Sequence, residues 1–365
     1  MSSETVDLAG RTIVPGLIDA HVHLALDPAL RTPAEQLAVP VAERVEAMER
    51  RAREMLFAGI TTARDCGGGD HAEHTLRERI AGGTALGPRL LCCGQPLTTP
   101  GGHCAFWGGA VTTRLEIDAM VARQVEARSD WIKVMATGGV FTPGSRARDR
   151  QFDLARLIAI VESAAGHGRP VAAHCHGTEG IADALRAGVR TIEHASFAGV
   201  DGFGTQIDES LLRAMAEADL WVSPTVNGGW GRRIENESGQ ATDFFRRMSG
   251  CLRLQRDHGV RFIASTDAGI PGVGHADLVA GLEALARYAA LPPVAVLRAA
   301  TSESARALGL EAETGRIAVG CSADFLVVDG DPLRDLSLLR DPEVVVVRGE
   351  WLDRRRRAPK GGTSR

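Results

Sequence analysis

Short apolar runs, rich in β-branched residues, alternate along this chain with longer stretches whose apolar positions recur at three- and four-residue steps. The runs fall at 17–24, 60–66, 89–94, 131–137, 171–176, 191–194, 220–226 and 261–266, each the length of a buried strand. Between them, Val41, Val45, Met48, Ala52 and Met55 form one apolar stripe, as do Leu154, Leu157, Ile158 and Val161, the spacing of amphipathic helices. Asp153 stands where an N-cap would open the second helix, and Gly166 and Gly168 where it should stop. Ile181, Ala184, Leu185 and Gly188 mark a further short helix, and 292–308 the last one. Strand–helix alternation on this scale predicts parallel strands with crossover helices, the α/β class.

Two arrangements satisfy that pattern, a doubly wound open sheet and a closed (β/α)8 TIM barrel. No glycine fingerprint opens a helix after the first run, as a dinucleotide-binding open sheet would want. Polar residues of one chemical kind recur instead at the C-terminal ends of several runs, where a barrel gathers its active site. After residue 310 the pattern changes: 315–319, 324–329 and 344–348 read as short antiparallel strands, to which 5–14 adds another. The expected organisation is a barrel over 15–310, a small β domain from 1–14 plus 311–352, and a flexible basic tail over 353–365.

Composition narrows the function classes. The net charge of −4 gives no electrostatic reason to expect nucleic acid or an anionic membrane as partner, and aromatics at 4% weaken base stacking further. No apolar stretch approaches the roughly 20 residues of a membrane span, and no signal peptide is recognisable. Seven scattered cysteines without a CxxC do not make a disulfide framework, which suits a reducing, cytoplasmic setting.

The chemistry begins at Asp19-Ala20-His21-Val22-His23. Residues two apart share a face of a strand, so His21 and His23 project together. Either they are hydrogen-bonded core histidines or they hold a metal, since unpaired buried polar groups cost about 1–3 kcal/mol each. The fifth run ends His174-Cys175-His176, the sixth Glu193-His194, the eighth Thr266-Asp267, and Lys133 lies inside the fourth. A buried, unpaired lysine is rare; an ion pair with Asp267 or Glu193, or a stem that snorkels to solvent, are its structural alternatives.

In order and strand position, His21-x-His23, Lys133, His174, His194 and Asp267 resemble the amidohydrolase superfamily. Trp131-Ile132-Lys133-Val134-Met135-Ala136-Thr137-Gly138-Gly139, His174-Cys175-His176-Gly177-Thr178-Glu179-Gly180 and Ile192-Glu193-His194-Ala195-Ser196 resemble its imidazolonepropionase-like branch, which includes prolidase-type and Xaa-Arg dipeptidases. The likeness spans about residues 11 to 350. It implies a zinc-dependent hydrolase in which His21 and His23 hold the more buried ion with Asp267 close to it, and His174 and His194 the more exposed one. Lys133, carboxylated by carbon dioxide, would bridge the two. Desolvation favours the neutral, nucleophilic amine in buried lysines generally, and nitrogen and oxygen donors suit zinc while admitting manganese, cobalt or iron. A hydroxide bridging the ions would attack a C–N carbonyl, with Asp267 relaying the proton to the departing amine.

The resemblance further implies a small amide or dipeptide substrate. Dipeptidase and N-acyl amino acid hydrolase activities are the leading expectation, and carbamate, urea or cyclic-amide hydrolysis is the alternative. A homo-oligomer is expected. His103, in the glycine-rich loop after the third run, is the foremost candidate for a substrate contact that is not a ligand. His176, Thr225 and His275 follow, with Asn227 near the mouth by position. Arg146 and Arg148 are weaker candidates for a substrate carboxylate. His71, His74, His167 and His258 read as surface residues, and Gly67-Gly68-Gly69 as a flexible loop or an anion cradle. The family sets several strands before the barrel, whereas about ten residues precede Arg11 here. A truncated β-sandwich is therefore expected, with unpaired edges at 324–329 and 344–348; a partner chain covering it, a start recorded too far downstream, or an inactive relic are the readings that follow.

Overall fold

The computed structural model describes residues 6–8 and 10–353; the expected basic tail lies outside them from residue 354 onward. β1 is Arg11–Pro15, β2 Leu17–Val22, β3 Ile60–Asp65, β4 Arg89–Cys92, β5 Ile132–Met135, β6 Val171–Gly177, β7 Thr191–Ala198, β8 Trp221–Ser223, β9 Phe325–Asp329, β10 Val344–Val347 and β11 Glu350–Asp353. β2, β3 and β4 pair in parallel, as do β5, β6, β7 and β8. β2, β3, β6, β7 and β8 are buried at every position, because helices cover one face and the opposite staves the other.

Irregular segments close the ring. Leu97 donates its N–H to the Lys133 carbonyl and accepts from the Met135 N–H, both at 2.8 Å, which joins the β4 side to β5. The eighth run is a stave without regular strand geometry: Ile263 N–H bonds the Val222 carbonyl (2.9 Å), while Ala264 and Ala268 accept from Ala20 and His23 of the first stave (3.0 and 2.8 Å). Asp19 clamps this seam. Its carboxylate accepts from Thr266 N–H at 3.1 Å, Thr266 Oγ1 at 2.6 Å and His21 N–H at 3.2 Å. Ile18, Ala20, Cys66, Cys93, Trp131, Ala172, Trp221 and Ile263 form one buried cluster. Residues of facing staves touch there only because the interior is packed, as in a TIM barrel.

The helices follow the stripes with local adjustments. Val41–Phe57 buries Met48, Ala52 and Met55 but leaves Val41 exposed. Leu154–Gly166 opens on the Asp153 side chain, which accepts from Arg156 N–H, and Gly168 takes φ +66° just beyond its end. The expected helix over 292–308 is two, Pro293–Ala299 and Ser302–Leu308. At the break, the carbonyls of Ala299 and Ala300 accept from Ala264 and Ile18 N–H (both 2.8 Å), so barrel staves take acceptors an unbroken helix would keep.

The C-terminal strands form an antiparallel sheet in the order β1-β9-β10-β11. Two expectations are corrected here. Residues 315–319 form no strand: Ile317 and Val319 face solvent, and side chains with nothing to pack against gain nothing from a ladder. The strands β9 and β10 are paired on both sides, and the edges belong to β1 and β11. Val14, Leu326, Val328, Val345 and Val347 share a core cluster with Leu17, Met48, Met55 and Ile60, so this sheet packs onto the barrel. Among the described residues no helix is long and apolar enough to cross a membrane, and the seven cysteines are all free.

Leu326 is fully buried at that junction. Leu326→Ala is expected to cost about 2–5 kcal/mol within a single melting transition. Calorimetry that resolved two transitions would show that sheet and barrel do not share a core.

Candidate metal centre

The ends of β2, β5, β6 and β7 and of the eighth stave converge on one cavity of about 440 Å³, whose lining includes His21, His23, Lys133, His174, His194 and Asp267. Backbone strain concentrates at this end. His194, Thr225 and Asp267 all lie in the left-handed region, at φ +70°, +52° and +61°, a cost of order 1–3 kcal/mol each carried where side chains must be aimed.

Proton bookkeeping shows what the site lacks. His21 Nδ1 lies 2.8 Å from Glu193 Oε2. Glu193 also receives Arg64 Nη2 at 2.7 Å and Thr191 Oγ1 at 2.6 Å. Burial opposes its ionisation, but Arg64 and Lys133 overrule it and hold its pKa well below the ordinary value. It can only accept, so His21 donates from Nδ1. His23 Nδ1 lies 2.8 Å from the Gly67 carbonyl, another acceptor, so His23 donates from Nδ1 too. The two Nε2 atoms then face each other with bare lone pairs at 3.3 Å, and Asp267 Oδ1 stands 3.4 Å from each. Three electron-rich atoms this close call for a cation between them. A proton is one answer: burial lowers the His21 pKa, yet Cys66 and Asp267 outweigh it and push it up to about 9. A divalent ion is the other, and the nitrogen and carboxylate donor set fits zinc.

The second pair is closer still. His174 Nε2 donates to the Gly138 carbonyl at 3.0 Å, which leaves Nδ1 as an acceptor 2.8 Å from His194 Nε2. Burial, then neighbouring imidazoles, hold both rings well below the usual histidine pKa, the neutral state a metal ligand needs. Thr225 Oγ1, 2.7 Å from His194 Nδ1, orients that ring as well as lining the cavity. The buried Lys133 Nζ has no hydrogen-bond partner. Neither Asp267 nor Glu193 forms an ion pair with it, and its near-total burial rules out snorkelling. An orphaned amine beside four imidazoles and a carboxylate fits a metal-bridging role.

His103 is buried, lines the cavity, lies tilted against the His174 ring with centroids 4.7 Å apart and leaves Nδ1 unpaired; a Cβ on Gly139 would sit 2.4 Å from its Nε2. His176 stacks on His194 at 4.4 Å and bonds Ser196 Oγ at 2.8 Å; it also groups with His174 and His194 as a third donor. Burial lowers the pKa of both, to about 4 for His103 and about 3 for His176. His275 does not line the cavity. It sits behind the first ligand pair, with Nε2 3.1 Å from the His23 carbonyl. His74 is buried, against expectation, and bonds Ser129 Oγ at 3.0 Å. The Gly67 loop serves as an acceptor for His23, and Arg146 pairs with Asp149 in an exposed loop, away from the lining. Sequence reasoning missed Arg64, a fully buried guanidinium whose β-strand context gave no cue, and Arg31 and Arg233, which do line the cavity.

A closed parallel barrel with this donor set at its C-terminal end defines a metal-dependent hydrolase of carbon–nitrogen bonds. The chain belongs to the amidohydrolase family, whose model matches residues 12–352, and within it to the imidazolonepropionase- and prolidase-like members. It is 25% identical over 366 residues to the ochratoxinase of Aspergillus niger, covering 91% of this chain and 73% of that protein. Identity to the imidazolonepropionase of Chloroflexus aggregans is 25% over 371 residues, covering 91% and 80%. A crystal structure of a Xaa-Pro dipeptidase with methionine in its active site superposes with a TM-score of 0.83 at 26% identity, covering 97% of this chain and 90% of that one.

Glu193→Gln is expected to strand the buried Arg64 charge and destabilise the protein by about 3–5 kcal/mol. Metal affinity should fall roughly 10–100-fold as His21 loses its orienting acceptor. Denaturant titration of metal-stripped protein and elemental analysis read the two effects separately; wild-type values in both would remove Glu193 from the site.

Proposed function

We propose that this chain is a binuclear zinc amidohydrolase that cleaves the amide or peptide bond of a small substrate, a dipeptide or an N-acyl amino acid. The observation that carries the reading is the convergence of four imidazole nitrogens, the Asp267 carboxylate and the unpartnered Lys133 amine on one cavity. His21, His23 and Asp267 would hold the more buried ion, and His174 and His194 the more exposed one. Lys133 would hold both once its amine forms an N–C bond to carbon dioxide and releases a proton, giving a carbamate. Ions held there would supply Lewis acidity, polarising a carbonyl and bringing the pKa of water toward about 7.

The remaining work falls to side chains. Asp267 faces the cavity at the junction of the first and eighth staves. Burial would raise its pKa, but His21 and His23 hold it well below the ordinary carboxylate range, and cations held between them would act in the same direction, so it is ionised and ready to accept the proton of the attacking water. The same carboxylic acid then protonates the departing amine nitrogen, restoring Asp267. His103 lines the cavity beside His174 and would bond the substrate carbonyl. The apolar lining around it, including Trp107 and Met135, excludes bulk water and strengthens these interactions.

Asp267→Asn is expected to leave a folded, metal-loaded protein with turnover reduced about 10²–10⁴-fold, the usual worth of a positioned acid–base group. Undiminished turnover of a dipeptide or N-acyl amino acid panel would refute its role. Lys133→Ala should lower zinc from two ions per chain toward one by elemental analysis, and ¹³C-bicarbonate should give the wild type a carbamate NMR signal missing from the variant. Two retained ions with no such signal would exclude the bridge.

A further inference from the structure

The cavity is electrostatically lopsided. Among the described lining residues Asp267 is the only carboxylate, whereas two guanidinium groups, Arg31 and Arg233, belong to the lining. They are not equivalent. Arg31 lies within electrostatic reach of Glu35. Arg233, an exposed residue, forms no ion pair with any described carboxylate; partial desolvation, then the nearby Arg247 cation, lower its pKa against the opposing effect of Tyr288.

Arg233 is also held in place. It follows the helical turn Gly228–Gly231, and its guanidinium carbon lies 3.3 Å from the centroid of the Phe244 ring. Phe244 packs edge-on against Trp230 at 5.0 Å, and the Tyr288 hydroxyl donates to the Trp230 carbonyl at 3.0 Å. The ring face takes up one side of the guanidinium and leaves its N–H edges without acceptors. A planar, fixed, unpaired fork is suited to a carboxylate, which accepts two parallel hydrogen bonds. Phe203, Trp230, Phe244 and Met248 also line the cavity and offer apolar surface rather than competing charge.

We infer that Arg233 anchors the free carboxylate of the substrate, making the preferred substrates anionic, apolar N-acyl amino acids or dipeptides rather than neutral amides, carbamates or ureas. This rests on the amidohydrolase reading above and selects among its substrate classes. The carboxylate lies on the amine side of the scissile bond, so the anchor orients the leaving group and keeps an uncapped C-terminus in the site.

The test compares matched pairs, such as N-benzoyl-L-phenylalanine with its primary amide and Ala-Phe with Ala-Phe-amide, on zinc-loaded wild type, Arg233→Ala and Arg233→Lys. Wild type is expected to favour the carboxylate member about 10–100-fold in kcat/KM, as a charge-assisted pair predicts. Arg233→Ala should collapse that ratio to near one through KM, and Arg233→Lys should restore part of it. A wild type indifferent to the carboxylate, or a ratio unchanged in Arg233→Ala, overturns the assignment and leaves the amidohydrolase reading standing. If no pair is hydrolysed, the amidohydrolase reading falls on these substrates, and calorimetric titration with the same ligands decides Arg233: weaker carboxylate binding by Arg233→Ala than by wild type sustains it, equal binding overturns it.

Discussion

Two imidazoles that have each given their only proton to an acceptor must present bare nitrogens on the other side, and the site depends on that constraint. Glu193 and the Gly67 carbonyl take the Nδ1 protons of His21 and His23, and the Nε2 lone pairs are left facing one another and Asp267. The acceptors are themselves fixed, Glu193 by buried Arg64 and Thr191, Gly67 by its own N–H on Asp65 Oδ1 at 2.8 Å. The first ion site is thus specified one layer outside the ligands. Cys66 offers a rival grouping with His21 and Glu193, but there the facing atoms of His21 and Glu193 already satisfy each other.

The barrel makes this possible by joining residues distant in sequence. The clamp from Asp19 to Thr266 spans 247 positions and sets the first stave against the eighth, which brings Asp267 to the histidines of β2. Left-handed backbone at His194, Thr225 and Asp267 shows where regular strand geometry yields to aiming. Irregularity of the eighth stave belongs with this: a stave that must turn Asp267 inward does not continue as a ladder.

Much of this was legible beforehand because its signals are local. Alternating runs and stripes announce staves and helices, and His21-x-His23, His174, His194 and Asp267 sit toward the ends of staves, with Lys133 inside one, each in a recognisable phrase. What escaped was whatever depends on a partner elsewhere. Arg64 reads as an ordinary polar residue until Glu193 is beside it, and His275 looked like a mouth residue until its bond to the His23 carbonyl placed it behind the ligands. The apolar run at 315–319 carries no sign of its exposure, and the break near Thr301 is set by barrel N–H groups that claim helix carbonyls. Arg233 lies in a polar loop without periodicity, and only folding sets it over Phe244.

X-ray absorption at the zinc edge of stoichiometrically loaded protein tests the central claim most directly. Lone pairs aimed as described predict a shell of nitrogen and oxygen alone, at about 2.0–2.1 Å with imidazole outer-shell scattering. A sulfur shell near roughly 2.3 Å would put the ion on Cys66, and metal-stripped protein that takes up no zinc would show that no ion belongs between these side chains.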